Sequence, residues 1–188
     1  SKRMLDSGEL ARRVEEDAVT GVTSNPTIFA KAIGGSDDYA DQLEDLKSSG
    51  MPTEEIAKNL MAGDITRACD VLGPVYTATG GRDGFVSVEV SPTLAHDTDA
   101  TIAEARDWVK QIDRDNLLVK VPATPEGIPA IRALIGEGIS VNVTLIFSVQ
   151  QYQAVAEAYI AGLEKRATAG FAINTLASVA SFFVSRID

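Results

Sequence analysis

The chain has one cysteine, Cys69, and one histidine, His96, in 188 residues. A lone thiol closes no internal disulfide framework, and with a single imidazole beside it a zinc cage is implausible. A reducing cytoplasm is the simplest home to expect. No run approaches the roughly 18 apolar residues that a membrane helix needs. The N-terminus lacks the basic-then-apolar pattern of a secretion signal. Cations are scarce as well: 17 Lys and Arg against 27 Asp and Glu, a formal net charge of −10. That balance argues against a nucleic-acid groove, which demands a basic surface. A small anion is still compatible, given a few cations gathered at one place. No low-complexity linker or internal repeat stands out, and no G-x-G-x-x-G follows a strand-like run.

What is present is an alternation of strand and helix patterns. Residues 5–16 read as a helix, followed by an apolar strand over Gly21 to Asn25 that Pro26 stops. Residues 36–48 and 53–72 read as helices, the second with a break expected at Gly63 and Asp64, residue types that favour caps over interiors. Gly84 to Val90 is a period-2 strand, and residues 99–112 a helix with Ile102, Ala105, Val109 and Ile112 on one face and Trp108 beside them. Strands are expected at Leu117–Val121, Ile139–Phe147 and Val179–Val184, with a short helix over 126–136. Ser148 and Gln151 form a capping-box pattern that opens a long helix, predicted to bury Tyr152, Val155, Ala156, Tyr159, Ile160 and Leu163.

Strands alternating with helices of about 10–18 residues imply βαβ units and a parallel sheet, so the fold class is α/β. An open doubly wound sheet would carry a Gly-rich turn after its first strand. Here that strand ends in Thr-Ser-Asn-Pro, and a (β/α)8 TIM barrel is the better reading. Such a barrel takes about 250 residues. About five strands are visible, so a single partial barrel domain over residues 1–188, truncated at both ends, is the expectation.

Parallel strands covered by helices are buried on both faces and should be apolar throughout. These strands depart from that rule on one face. Val86, Val88 and Val90 oppose Ser87 and Glu89; Leu117, Val119 and Val121 oppose Leu118 and Lys120; Val141, Val143 and Leu145 oppose Ser140, Asn142 and Thr144. The β-branched face suits helix packing, which sends Glu89, Lys120, Asn142 and Thr144 toward a barrel interior near the strand C-termini. Asn25 ends an earlier strand and Ser181 lies in a later one. Active sites form at those strand ends. A buried lysine or glutamate without a use costs several kcal/mol. A structural ion pair between Lys120 and Glu89, with Asn142 as a satisfied core amide, is the plainer alternative. Polar residues at similar heights on successive strands favour function.

The residue types suggest a chemistry. A lysine amine taken out of water is easier to deprotonate, and the neutral amine attacks a carbonyl to form a Schiff base. The iminium then accepts electrons from a breaking carbon–carbon bond, a route that calls for neither metal nor cofactor. Glu89 with Thr144 can hold a water that moves protons. Asn25, Asn142 and Ser181 can bind substrate hydroxyls, and Arg186 offers a forked cation for a phosphate. The set fits a lysine-dependent aldol enzyme acting on a phosphorylated sugar.

Thr23-Ser24-Asn25-Pro26-Thr27-Ile28-Phe29 resembles the signature of the transaldolase family. Val88-Glu89-Val90, Leu118 to Thr124, Val141 to Ser148 and Ser181 to Arg186 resemble its later strands in order, across essentially the whole chain and closest to the long bacterial form. The resemblance implies a (β/α)8 barrel and a cofactor-free Schiff-base transferase of the pentose phosphate pathway. A dihydroxyacetone unit would move from sedoheptulose 7-phosphate to glyceraldehyde 3-phosphate. It makes Lys120 the Schiff-base lysine, puts the catalytic water on Glu89 and Thr144, gives the donor's hydroxyls to Asn25, Asn142 and Ser181, and its phosphate to Arg186. The family's acid/base aspartate on the first barrel strand would precede Ser1–Leu5. Asp6 and Asp17, in or beside a helix, do not replace it. A chain ending at Asp188 would leave barrel edges open and is expected to be inactive alone. A Schiff-base aldolase releasing free dihydroxyacetone, or a non-catalytic sugar-phosphate-binding half barrel, are the alternatives. The expected partners are phosphorylated sugars, with no nucleic acid and no membrane, and a homodimer is a candidate assembly.

Other residues are set aside. His96 has no partner of its kind, Cys69 falls on the apolar side of a helix, and Asp37, Asp38, Asp41, Glu44 and Asp45 read as a solvated helix face. Tyr152 and Tyr159, at helical spacing, read as core.

Overall fold

A computed structural model of the chain describes residues 1–186, with the backbone alone described at Arg186. The chain divides into two compact units, Ser1–Val86 with Gln111–Asn116, and Ser87–Lys110 with Leu117 onward.

The first unit is mostly helical. The helix expected over 5–16 is two, α1 (Lys2–Asp6) and α2 (Glu9–Glu16), because Gly8 adopts φ 72° between them. Strand β1 (Gly21–Thr23) is followed by α3 (Pro26–Gly34), which the sequence reading missed. The strand ends at Thr23, two residues short of the expected Asn25, and Pro26 stands as the first residue of the helix, where its missing N–H is harmless. Asn25 caps that helix, its Oδ1 accepting the Ile28 N–H at 2.8 Å. A 3-10 turn (Asp37–Tyr39) leads into α4 (Ala40–Ser48), whose acidic residues are exposed.

Helix α5 runs unbroken over Thr53–Ala78, so the break expected at Gly63 and Asp64 is corrected. Asp64 is buried, and its carboxylate accepts the Tyr39 hydroxyl at 2.6 Å, which gives a poor helix former a tertiary partner. Burial pushes the Asp64 carboxyl above its ordinary value. Tyr39, Ile56 and Leu60 form the local core with Ile33, Leu43 and Leu46 packed against them. Cys69 packs as expected, and burial pushes its thiol up to about 12, an unreactive state. Gly63 is exposed, and a Cβ added there meets nothing within 4 Å. Gly63→Ala should therefore stabilise the protein by about 0.5–1 kcal/mol, measured by urea denaturation; a loss of stability would mean that α5 is not helical there.

The second unit carries the strand–helix alternation. It contains β2 (Phe85–Glu89) from Ser87 onward, β3 (Leu117–Pro122), β4 (Val141–Ile146) and β5 (Ser178–Phe182), adjacent in chain order. The Val90 N–H donates to the Lys120 carbonyl at 3.2 Å, and β3–β4 and β4–β5 are parallel. Helices α6 (Thr98–Ile112), α7 (Gly127–Glu137) and α8 (Val149–Thr168) connect the strands. Helix α7 packs on β3, β4 and α8. Val119, Val121, Val141 and Val143 are fully buried, as the alternation predicts for the helix-facing side.

Two details differ from expectation. Val143 pairs with Ala180, but Ile146 pairs with Phe182, so β4 takes one more residue than β5 over the same stretch. This bulge holds Leu145 at φ 59°, an unfavourable conformation for a side-chain-bearing residue. Leu145 leaves the valine face and is exposed, while Ile146 takes the buried place. In α8 the buried residues are Val155, Ala158 and Gly162, whereas Tyr152 and Ile160 are 46% and 53% exposed. Small residues face α7 because the helices approach closely: a Cβ on Gly162 would lie 2.8 Å from Ile135 Cβ. Tyr152 lies outside that seam, its ring edge-on to Phe182, and Tyr159 is half-buried.

Candidate active site

Strands β2 to β5 of the second unit each contribute a polar side chain to one face. The parallel register places Lys120 opposite Asn142 and Pro122 opposite Thr144. Residues opposite each other share a face, so the lysine and the amide point to the same side. The Lys120 Nζ donates to Glu89 Oε2 at 3.1 Å, and the two side chains are only 10% and 16% exposed. The Asn142 Nδ2 donates to Ser87 Oγ at 3.1 Å, and its Oδ1 accepts the Ser181 hydroxyl at 2.8 Å. Lys120, Asn142 and Thr144 are 8%, 6% and 2% exposed.

The Asn142–Ser87 bond also reports curvature. These residues stand on β4 and β2, with β3 between them. Strands two apart in a flat sheet are roughly 9–10 Å from each other, too far for two short side chains to meet. The polar face is therefore the concave one, as on the inside of a barrel.

The β-strand ends are held by further bonds. The Ala123 N–H donates to the Thr144 carbonyl at 2.9 Å, and the Phe183 N–H to the Ile146 carbonyl at 2.8 Å. Ser148 caps α8 by accepting the Gln151 N–H at 3.1 Å. Gln151 returns the bond one residue earlier than the usual box, its Oε1 accepting the Phe147 N–H at 2.9 Å.

Of the residues singled out from sequence, the second unit brings Lys120, Glu89, Asn142 and Ser181 into two hydrogen-bonded groups on one face, with Thr144 on that face. Asn25 belongs to the first unit, where its Oδ1 is committed to capping α3. Arg186 closes a 3-10 turn after β5, and its side chain lies outside the described residues. Ser87 is a partner the sequence reading did not assign, although alternation with Glu89 placed it on the polar face. His96 is 81% exposed, with Nδ1 3.2 Å from Glu126 Oε2, and belongs to neither hydrogen-bonded group. Among the described residues no three His, Cys, Asp or Glu side chains gather as metal ligands, and no helix is long and apolar enough to cross a membrane.

Parallel strands in chain order, helices between them and polar residues at the strand C-termini define an α/β protein of the barrel class. Sequence comparison narrows that class. The family model for Transaldolase/Fructose-6-phosphate aldolase matches residues 4–188. The chain belongs to this family. It is 55% identical to a transaldolase of Thermobifida fusca, over the whole of this chain and 51% of that protein. It is 52% identical to transaldolase 1 of Streptomyces avermitilis and 50% identical to transaldolase 2 of Nostoc punctiforme, again over all of this chain and 50% and 49% of theirs. The chain thus spans about half the length of these curated relatives.

Proposed function

We propose that the protein of which this chain is a part, or which it constitutes, is a transaldolase that works through a Schiff base on Lys120. The observation that carries this reading is the Lys120 amine, nearly buried at a strand end, 3.1 Å from the Glu89 carboxylate and in register with Asn142. A buried ion pair alone is weak support for stability, so the alignment of an amine, an acid, an amide and a hydroxyl on one concave face is better accounted for by chemistry. The relatives' shared name supports transfer over aldol release.

In this reading the neutral Lys120 amine attacks the ketone carbon of a ketose phosphate. Water leaves and an iminium forms. Loss of a proton from the neighbouring hydroxyl breaks the Cα–Cβ bond; its electron pair enters the iminium to give an enamine, and an aldose phosphate departs. The enamine then attacks the aldehyde of the acceptor, forming the new carbon–carbon bond, and hydrolysis frees the lysine. Glu89 and Thr144 hold the water that carries protons to and from nitrogen. Asn142, steadied by Ser87 and Ser181, binds donor hydroxyls; the family resemblance gives hydroxyl binding to Asn25 as well and the phosphate to Arg186. Sedoheptulose 7-phosphate and glyceraldehyde 3-phosphate are the proposed donor and acceptor, and a reducing cytoplasm is the proposed setting.

Borohydride added to the full-length protein with fructose 6-phosphate should attach the donor fragment to Lys120, read by peptide mass; an adduct on a different lysine would overturn the assignment. Glu89→Gln keeps an oxygen for the lysine but cannot carry a proton. Its turnover should fall about 100-fold or more, with donor KM within about twofold. Undiminished turnover would remove Glu89 from the mechanism.

A further inference from the structure

The end of β4 carries a bulge, and one side chain bridges it to the end of β3. We infer that Gln151 is a positioning residue that sets the separation of the Lys120 and Thr144 strand ends, an inference that rests on the Schiff-base reading above. The Gln151 Nε2 donates to the Ala123 carbonyl at 2.6 Å, three residues beyond Lys120. Its Oε1 accepts the Phe147 N–H at 2.9 Å, three residues beyond Thr144. One amide therefore bridges the loops leaving β3 and β4, using both of its ends.

The bridge spans the bulge. Between Thr144 and Phe147 the chain passes through Leu145 at φ 59°, with the Thr144 carbonyl tied to the Ala123 N–H at 2.9 Å. A non-glycine residue in that conformation persists only where its surroundings over-determine it. Ladder bonding supplies the constraint before the bulge; after it the Phe183 N–H donates to the Ile146 carbonyl at 2.8 Å, and the Gln151 amide ties Phe147 to the end of β3. Released, Leu145 gains access to ordinary extended geometry. Without the bridge the stretch from Leu145 to Phe147 loses its tie to the β3 end, and the Thr144 hydroxyl, one residue before Leu145, is held less firmly relative to Lys120. Gln151 is not required to hold α8 in place, because that helix is capped separately by Ser148. Its side-chain bonds go to the two strand ends.

Gln151→Met, of similar volume with neither bond, tests this in the full-length protein with fructose 6-phosphate and an aldose phosphate acceptor. Sites are counted by borohydride-trapped mass, and turnover is divided by that count. Trapping is done after the imine has reached equilibrium, a position that faster or slower proton transfer does not move, so the trapped fraction should stay within about twofold of the parent. Turnover per trapped site should fall about tenfold or more, because proton transfer depends on Thr144 being in place. Gln151→Glu keeps the acceptor for Phe147 but loses the donor to Ala123, and should lose turnover per site by about threefold to fivefold. A parallel fall of trapping and turnover would make Gln151 purely structural and overturn the inference. So would turnover per site unchanged in both variants, or failure of both to fold. A parent protein that forms no trapped adduct would instead overturn the Schiff-base reading, and this role with it.

Discussion

Lys120→Met is expected to abolish borohydride trapping and to lower transaldol turnover by about four orders of magnitude or more, the scale of losing a nucleophile. Methionine preserves most of the stem that packs in the strand, so the loss is chemical rather than steric. The same substitution leaves the Glu89 carboxylate without its 3.1 Å ammonium partner, at 16% side-chain exposure. Breaking one half of a buried pair is more damaging than removing both halves. Lys120→Met should therefore be less stable than the parent, and the Lys120→Met/Glu89→Gln double variant should recover about 1–2 kcal/mol of that loss. Intact mass after trapping and urea denaturation of the three proteins read the two effects separately. Residual adduct in the single variant would remove Lys120 from the proposed chemistry, and a double variant less stable than the single would deny the coupling of the pair.

The contrast with Glu89→Gln separates the roles. The amine is needed to form the imine at all, whereas the acid speeds the proton transfers without setting how much imine stands at equilibrium. Loss of the first should erase the adduct; loss of the second should leave it trappable while turnover falls. A structural ion pair would produce neither pattern, since each variant would then lose folded protein and activity in step.

How much of this could be read beforehand follows from the physics of each element. The juxtaposition of Lys120 and Asn142 was readable because strand periodicity has two phases only, and parallel strands ending at similar heights bring matched residues into register. Leu145 was misread by the same rule, since a bulge depends on the pairing of β4 with β5 and leaves no mark in the alternation of one strand. Asn25 and Pro26 are the cap and first-turn proline of α3, but a proline after an apolar run fits the end of a strand equally well, so local sequence does not decide between the two. The bond from Asn142 to Ser87 needs a curved sheet, a property of several strands together. Tyr152 and Ile160 were placed in the core because helical spacing shows which residues share a face, not which neighbour that face meets.

Gly127→Ala is expected to cost about 3 kcal/mol or more. A Cβ at Gly127 would lie 2.0 Å from the carbonyl oxygen of Pro122 and 3.0 Å from Thr124 Oγ1. The first is a backbone atom and cannot rotate away. Gly127 opens α7, and its N–H donates to Thr124 Oγ1 at 2.9 Å, while that hydroxyl donates to the Ala95 carbonyl at 2.6 Å. Relief of the clash therefore requires either lifting α7 off the end of β3 or displacing Pro122, two residues beyond Lys120. Lifting the helix opens the buried seam around Ile131 and Leu134. Displacing the strand disturbs the lysine. The first route predicts a lower urea midpoint with normal turnover per folded molecule; the second predicts both a lower midpoint and slower turnover per trapped site. Parallel strands paired through Val121–Val143 and Pro122–Thr144 resist sliding cooperatively, so the helix should yield first and stability should fall more than chemistry. A Gly127→Ala protein as stable as its parent would mean that α7 does not seat against the β3 end as closely as 2.0 Å implies.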